Sequence, residues 1–282
     1  MYRNNNQERD YLNLLKEITE TGCLKSDRTG TGTLSLFTRM LRFDISDTFP
    51  IFTTKEVYWR KVITELLWFL RGDTNVKYLE ENDVKFWSPF ADDNGDIGPL
   101  YGKQWTGWND KCNQIDHVLH SLRFNKDSRR HVVCAWNAHL IPRDEEIAPR
   151  DNVKNNLMSI APCHCLFQFY RNDQELSCTL YQRSADMFLG VPFNIPSYSL
   201  LTMMIAKRIG CKAKEFIWVG GDCHIYVNHL ESIKKQLSRL PYDMPTIDLQ
   251  YPDDANWNDI DVSDFIVHNY QHHSHIKGKL NV

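Results

Sequence analysis

Two strand-like runs, HCLFQFYR at 164–171 and ELSCTLYQ at 175–182, are separated by only three residues. Runs that close pair as a hairpin within one sheet. A sheet with an apolar face must bury it against another layer, so the hairpin constrains the rest of the chain. Helical segments are available for that layer. Residues 8–22 carry Tyr11, Leu12, Leu14, Leu15 and Ile18 on one helix face, and Gly22 is placed to stop it. An aromatic-rich helix is expected over 57–70, closed by Gly72 and Asp73, with a short helix at 76–82 and others at 114–124, 196–209 and 226–237. Further strands are expected at 34–45, 131–137, 214–220 and near 245–251. Helices and strands cluster rather than strictly alternate, which predicts an α+β fold.

No repeat, low-complexity tract or flexible linker interrupts the order, so one domain over residues 1–282 is expected. Residues 138–158, with DEE and DNVKNN, read as an exposed polar loop or insertion. Residues 86–110 mix glycines, prolines and aromatics, too apolar for a linker and too broken for one element. Long ordered loops of that kind are often functional.

Hydrophobic residues make up 42% of the chain and charged residues 24%, which excludes a disordered protein. A net charge of −3 argues against broad nucleic-acid binding, so no DNA partner is expected, though local arginines suit a small anion. No run approaches the roughly 20 apolar residues of a membrane span. The polar start MYRNNNQERD lacks a signal-peptide core. With no such signal, the eight cysteines read as free thiols in a reducing compartment. A cytoplasmic location is expected, in a host's cytoplasm if the chain is viral.

Cys163 sits directly after Pro162 at the start of the hairpin, within the trio Cys163-His164-Cys165. Three readings stand. Zinc sites pair ligands two to four residues apart, and no second pair follows here. A buried cysteine is often only a small hydrophobe. A nucleophile needs a nearby cation to favour its thiolate, and Arg183 with Ser184 lies at the far end of the second run. The loop SDRTGTGT, with Arg28, suits phosphate, as do Arg129 and Arg130, although it is no P-loop and an arginine pair is often only solvated. His224 and Tyr226 alternate onto one face, where they could meet a sugar hydroxyl or be merely structural. Glu65 interrupts an apolar helix, so it is salt-bridged or poised for proton transfer.

Taken in order, DRTGTGTLSLF, FPIFTTKEVYWRKVITELLWFLRGDTN, NGDIGPLYGKQW, DSRRHVVCAWN, APCH, YQRSADMFLGVPFNI, GGDCHIYVNH and HIKGKLNV resemble the thymidylate synthase family from about residue 8 to the last residue. The resemblance implies a large mixed sheet packed by helices, with one sheet face forming a homodimer interface. It implies methylation of deoxyuridine monophosphate (dUMP) at C5, with 5,10-methylene-tetrahydrofolate as carbon donor and reductant and no metal. Cys163 resembles the nucleophile that attacks C6, and Arg183 the group that activates it. Arg28, Arg183 and Ser184 match phosphate ligands, and Arg129 and Arg130 match arginines that reach across from the other subunit. Gln182 falls in the substrate-binding block. Asn194 matches the reader of the uracil O4 and N3 edge, where relatives acting on cytosine nucleotides carry aspartate. His224 and Tyr226 match contacts to the sugar 3′-hydroxyl. Glu65, His164 and Tyr101 resemble a proton-transfer network. Lys55, Trp87, Asp186 and Gly190 fall where the family binds folate, and Asn281 and Val282 belong to a tail that closes over the site.

Phe86, Phe90, Asn281 and the longer 138–158 segment depart from common bacterial forms. The aromatic and tail changes cluster near the folate ring and the lid that excludes water. A related hydroxymethylase, in which water rather than hydride quenches the exocyclic methylene, is therefore an alternative. A non-catalytic nucleotide- or RNA-binding relative is a second.

Overall fold

In the computed structural model the described residues are 6–27, 30–144 and 147–281, so Arg28 and Val282 lie outside them. The chain opens with α1 (Asn6–Thr21) and β1 (Cys23–Lys25), then β2 (Thr33–Asp44). Helices α2 (Trp59–Leu70), α3 (Lys77–Glu81), α4 (Tyr101–Gly107) and α5 (Gln114–Phe124) follow. Next come β3 (Val132–Cys134), α6 (Pro149–Lys154) and the hairpin of β4 (His164–Asn172) and β5 (Glu175–Asp186). Helix α7 (Val191–Arg208), β6 (Lys212–Tyr226), α8 (Leu230–Leu237), β7 (Thr246–Leu249) and β8 (Phe265–His268) complete it.

The large sheet runs β1-β2-β6-β5-β4-β3. The hairpin forms as expected, His164 opposite Gln182 and Asn172 opposite Glu175. The β5–β6 pair is parallel, which makes the sheet mixed. A parallel pair needs a crossover, and α7 supplies it. Phe167, Phe169, Leu180, Phe216 and Trp218 point from the sheet into the core, where Tyr198 of α7 meets Phe167 and Phe216. Met40, Val132, Leu166, Tyr170 and Tyr181 are left exposed. Helix α2 is buried over nine consecutive residues, Val62 to Leu70, which explains its nearly continuous apolar sequence. Gly72 ends it at φ +71°, and a Cβ there would lie 2.1 Å from Thr106 Oγ1.

Several boundaries differ from expectation. Strand β3 keeps only three residues of the 131–137 run. Strands β5 and β6 extend past 182 and 220 because their polar ends pair with each other, Ser184 with Asp222 and Asp186 with His224. Helix α7 starts before 196, with Pro192 in its first turn and Pro196 carried inside. Helix α8 starts after a 3₁₀ turn at Val227–His229, later than expected. The 138–158 stretch is not a bare loop. It holds α6, and Asn152 is buried, donating to the Ser159 carbonyl at 3.1 Å. The broken 86–110 stretch contains α4. Strand β8 pairs with β7 in a segment that the sequence left unassigned.

Candidate active site

The C-terminal ends of β5 and β6 open onto a cavity of about 400 Å³. Cys163, immediately before β4, lines it together with His164, Glu65, Tyr101, Gln182, Ser184, Asp186, Gly190, Asn194, His224, Tyr226 and Asn281. The ladder explains this convergence. Ser184 and Asp186 face one way on β5, His224 and Tyr226 face the same way on β6, and Asp186 stands directly opposite His224.

Cys163 is fixed through its backbone. Its N–H donates to the Tyr101 hydroxyl at 2.8 Å, and its carbonyl accepts from the Arg183 N–H at 2.9 Å. The Arg183 guanidinium donates to the carbonyls of Pro162 at 2.9 Å and Ala161 at 2.8 Å. A fixed cation therefore stands beside the cysteine, as the sequence suggested. Its effect on the thiol is smaller than expected. Burial pushes the Cys163 thiol up, and the Arg183 charge and Ser184 hydroxyl oppose that only in part.

Glu65 is buried in α2, and the Trp87 indole donates to its Oε1 at 2.6 Å. Burial lifts this carboxyl to about 7, with the Trp87 bond opposing. Burial also lowers His164 to about 4, so the imidazole is neutral near pH 7. Its ring lies 5.0 Å from that of Tyr101, and among the described residues its Nδ1 has no hydrogen-bond partner. The expected trio of Glu65, His164 and Tyr101 thus shares one wall, but the direct bond runs from Trp87 to Glu65.

The amide of Asn194 is oriented by a chain that starts in the core. Trp218 Nε1–H donates to Gln182 Oε1 at 2.9 Å, and an indole can only donate. Gln182 must then turn its Nε2 to Asn194, whose Oδ1 accepts at 3.0 Å. Nδ2 of Asn194 remains a donor, and Oδ1 keeps a second lone pair. Asp186 Oδ1 accepts the N–H groups of Phe188 at 2.9 Å and Leu189 at 3.0 Å, shaping the turn into α7. Gly190 follows, where a Cβ would lie 3.3 Å from the Asp186 carbonyl.

Phe86, Trp87, Phe90 and Phe193 form an aromatic wall, with the Phe86 and Phe193 rings edge to face at 5.7 Å. Across from it, Asn281 Oδ1 accepts from Asn228 Nδ2 at 2.9 Å and from Thr31 Oγ1 at 3.2 Å. The tail is held again by the Lys279 carbonyl, 2.9 Å from His229 Nε2.

Other expected residues do not line this cavity. Lys55 is buried, donates to the Phe188 carbonyl and lies 3.8 Å over the Phe188 ring. Burial lowers it to about 7, against the pull of Asp186. Arg129 and Arg130 lie on the turn between α5 and β3, with Arg129 at a separate polar cavity of about 240 Å³. Arg28 and Val282 fall outside the described residues. The sequence reading missed Trp218, which looked like one more apolar strand residue, and Asp222, hidden inside GGDCH. Among the described residues no group of three or more His, Cys, Asp or Glu side chains is arranged to hold a metal ion.

A mixed sheet that brings a cysteine, a carboxyl raised by burial and an oriented amide to one largely apolar cavity, with a fixed guanidinium behind the cysteine, has the arrangement of an enzyme active site. Residues 9–282 match the family model described as thymidylate synthase. The thymidylate synthase of Francisella philomiragia subsp. philomiragia is 50% identical over 275 residues, 97% of this chain and 100% of the relative. That of Francisella tularensis subsp. holarctica is 49% identical with the same coverage. The chain belongs to the thymidylate synthase family.

Proposed function

We propose that this enzyme, working as one catalytic domain and as a homodimer in the cytoplasm, methylates dUMP at C5 to give dTMP. The folate co-substrate, 5,10-methylene-tetrahydrofolate, supplies the carbon and the hydride and leaves as dihydrofolate. The observation that carries this reading is the pairing of Cys163 with an Asn194 amide whose orientation is fixed from the core through Gln182 and Trp218. That amide donates to O4 and accepts from N3–H, the uracil pattern. The relatives named thymidylate synthase favour the methyl product over the hydroxymethyl branch raised by Phe86, Phe90 and Asn281, and over a non-catalytic role.

Cys163 Sγ adds to C6 and makes C5 a carbon nucleophile, which splits one hard step into easier ones. Arg183 holds charge beside the thiolate during that addition. Arg28, Arg183 and Ser184 bind the phosphate, with Arg129 and Arg130 arriving from the second protomer. Guanidinium suits a dianion because it binds bidentately. His224 and Tyr226 hold the sugar 3′-hydroxyl. Glu65, raised to about 7, takes part in removing the C5 proton, with Tyr101 and neutral His164 completing the path. Expelling Cys163 from C6 releases the product. Trp87, Asp186 and Gly190 face the folate, and Lys55 supports it from behind Phe188. Asn281 and Val282 close the tail and exclude water.

The test uses the 5-fluoro analogue of dUMP, which has no C5 proton to lose. With methylene-tetrahydrofolate it should accumulate as an adduct on the peptide carrying Cys163, seen by mass spectrometry. Modification of another cysteine, or an adduct surviving in Cys163→Ser, would remove the assignment.

A further inference from the structure

His224 is held from behind by a carboxylate to which the reaction above gives no role. Asp222 lies two residues earlier on β6, so both side chains leave the strand on one face. Its Oδ1 stands 3.3 Å from His224 Nδ1 and accepts from Ser35 Oγ at 2.6 Å. Its Oδ2 accepts from Lys25 Nζ at 2.5 Å. Ser35 is the β2 residue opposite His224, so β1, β2 and β6 each contribute a group to this cluster. Hydrogen bonding from His224 first, with Lys25 and Ser35 adding to it, holds the Asp222 carboxyl well below the usual carboxylate range. Near neutral pH it is therefore a carboxylate that only accepts. The second group near His224 Nδ1 is the Asp222 carbonyl at 3.2 Å, again only an acceptor. Two acceptors on one ring nitrogen place the proton there, so the neutral ring carries Nδ1–H and Nε2 has a lone pair. His224 is buried at the wall of the cavity, with Tyr226 edge-on at 5.3 Å.

We propose that Asp222 is a positioning residue that fixes His224 as the Nδ1–H tautomer, so that Nε2 accepts the hydrogen of the sugar 3′-hydroxyl and the cavity selects nucleotides that carry one. This inference rests on the reading of the cavity as a dUMP site. Lys25 has a second consequence in the same cluster. Asp222 pairs across the ladder with Ser184, a phosphate ligand in that reading. An unneutralised carboxylate there would repel a phosphate dianion, and the ammonium group of Lys25 removes that penalty.

The experiment compares binding of dUMP and its 2′,3′-dideoxy analogue by titration calorimetry without folate, in the wild-type protein, Asp222→Ala and Asp222→Asn. Both nucleotides carry the same phosphate, so any change around Lys25 cancels in their ratio. Asp222→Ala leaves Nδ1 only the carbonyl of residue 222 as an acceptor, so dUMP should lose about fivefold in affinity relative to the dideoxy analogue, the scale of one neutral hydrogen bond made less well. Asp222→Asn keeps an acceptor for Nδ1 and should lose less. Equal losses on both nucleotides, or none on either, would overturn the proposal. A variant that fails to fold does not end the test, because ¹⁵N chemical shifts of His224 in the wild-type protein at neutral pH report the tautomer directly. A proton on Nδ1 alone supports the proposal, and a proton on Nε2 defeats it. Wild-type protein that binds dUMP through its 3′-hydroxyl yet forms no thymidylate would overturn the proposed reaction and leave this inference standing. Wild-type protein that does not bind dUMP would overturn both.

Discussion

Glu65→Gln should make the folded protein more stable above neutral pH while removing most of its activity. Burial raises the Glu65 carboxyl from its ordinary 4.5 to about 7. A carboxyl raised by folding binds its proton more tightly in the native state than in the unfolded chain. Stability therefore falls as pH rises from about 4.5 to about 7, and the whole cost is present above that window. The separation corresponds to about 3 kcal/mol, an upper value for a side chain with some room to relax. Glutamine keeps an acceptor for the Trp87 indole, which donates to Glu65 at 2.6 Å, but it carries no charge. The variant should exceed the wild type by under about 1 kcal/mol near pH 5 and by up to about 3 kcal/mol at pH 8. Lys55, lowered to about 7, acts in the opposite sense from pH 7 upward, and taking the variant minus the wild type cancels it. Urea unfolding at fixed protein concentration across pH 5 to 8 measures the difference. A difference that stays flat with pH would refute the reasoning, because it would mean that Glu65 does not titrate in the native state near neutrality. In parallel, kcat should fall by about 10²- to 10⁴-fold, the range for a lost acid–base group.

Asn194→Asp should shift preference toward the cytosine nucleotide, since Gln182 still donates to the retained Oδ1 while the other atom changes from donor to acceptor. An unchanged ratio of kcat/KM for the two nucleotides would count against Asn194 as the base reader. Mixing inactive Arg130→Ala with inactive Cys163→Ser protein should restore part of the activity, because a heterodimer then holds one intact site. No recovery from verified heterodimers would mean that sites are not shared. Asn281→Ala removes the acceptor for Asn228 and Thr31, and should raise the KM for folate several-fold with little change for dUMP. Equal effects on both would show that the tail is not specific to the folate side.

The hairpin was legible because its two runs alternate and almost touch in sequence. What the alternation did not reveal was how far β5 and β6 continue. Ser184 and Asp186 look like loop residues by composition, yet ladder pairing with Asp222 and His224 keeps them extended. Propensity yields there to a partner more than thirty residues away. Glu65 stood out because it interrupts an apolar helix, and Cys163 and Arg183 because they sit at matching ends of the hairpin. Trp218 and Asp222 did not, since their importance lies in the atom each presents to a neighbour, Gln182 or His224. The expectation that Arg183 would favour the Cys163 thiolate could not weigh that charge against burial, and burial prevails. The resemblance identified the reaction where residue patterns alone left a metal site, a structural thiol and a nucleophile all open.

The most direct test of the whole account is the mass of the nucleotide product after incubation with dUMP and 5,10-methylene-tetrahydrofolate, with the folate product followed in the same sample. The account predicts thymidylate and an equal amount of dihydrofolate. A 5-hydroxymethyl product with tetrahydrofolate would contradict it, because water rather than hydride would then complete the reaction and the aromatic wall with the Asn281 tail would not keep water out.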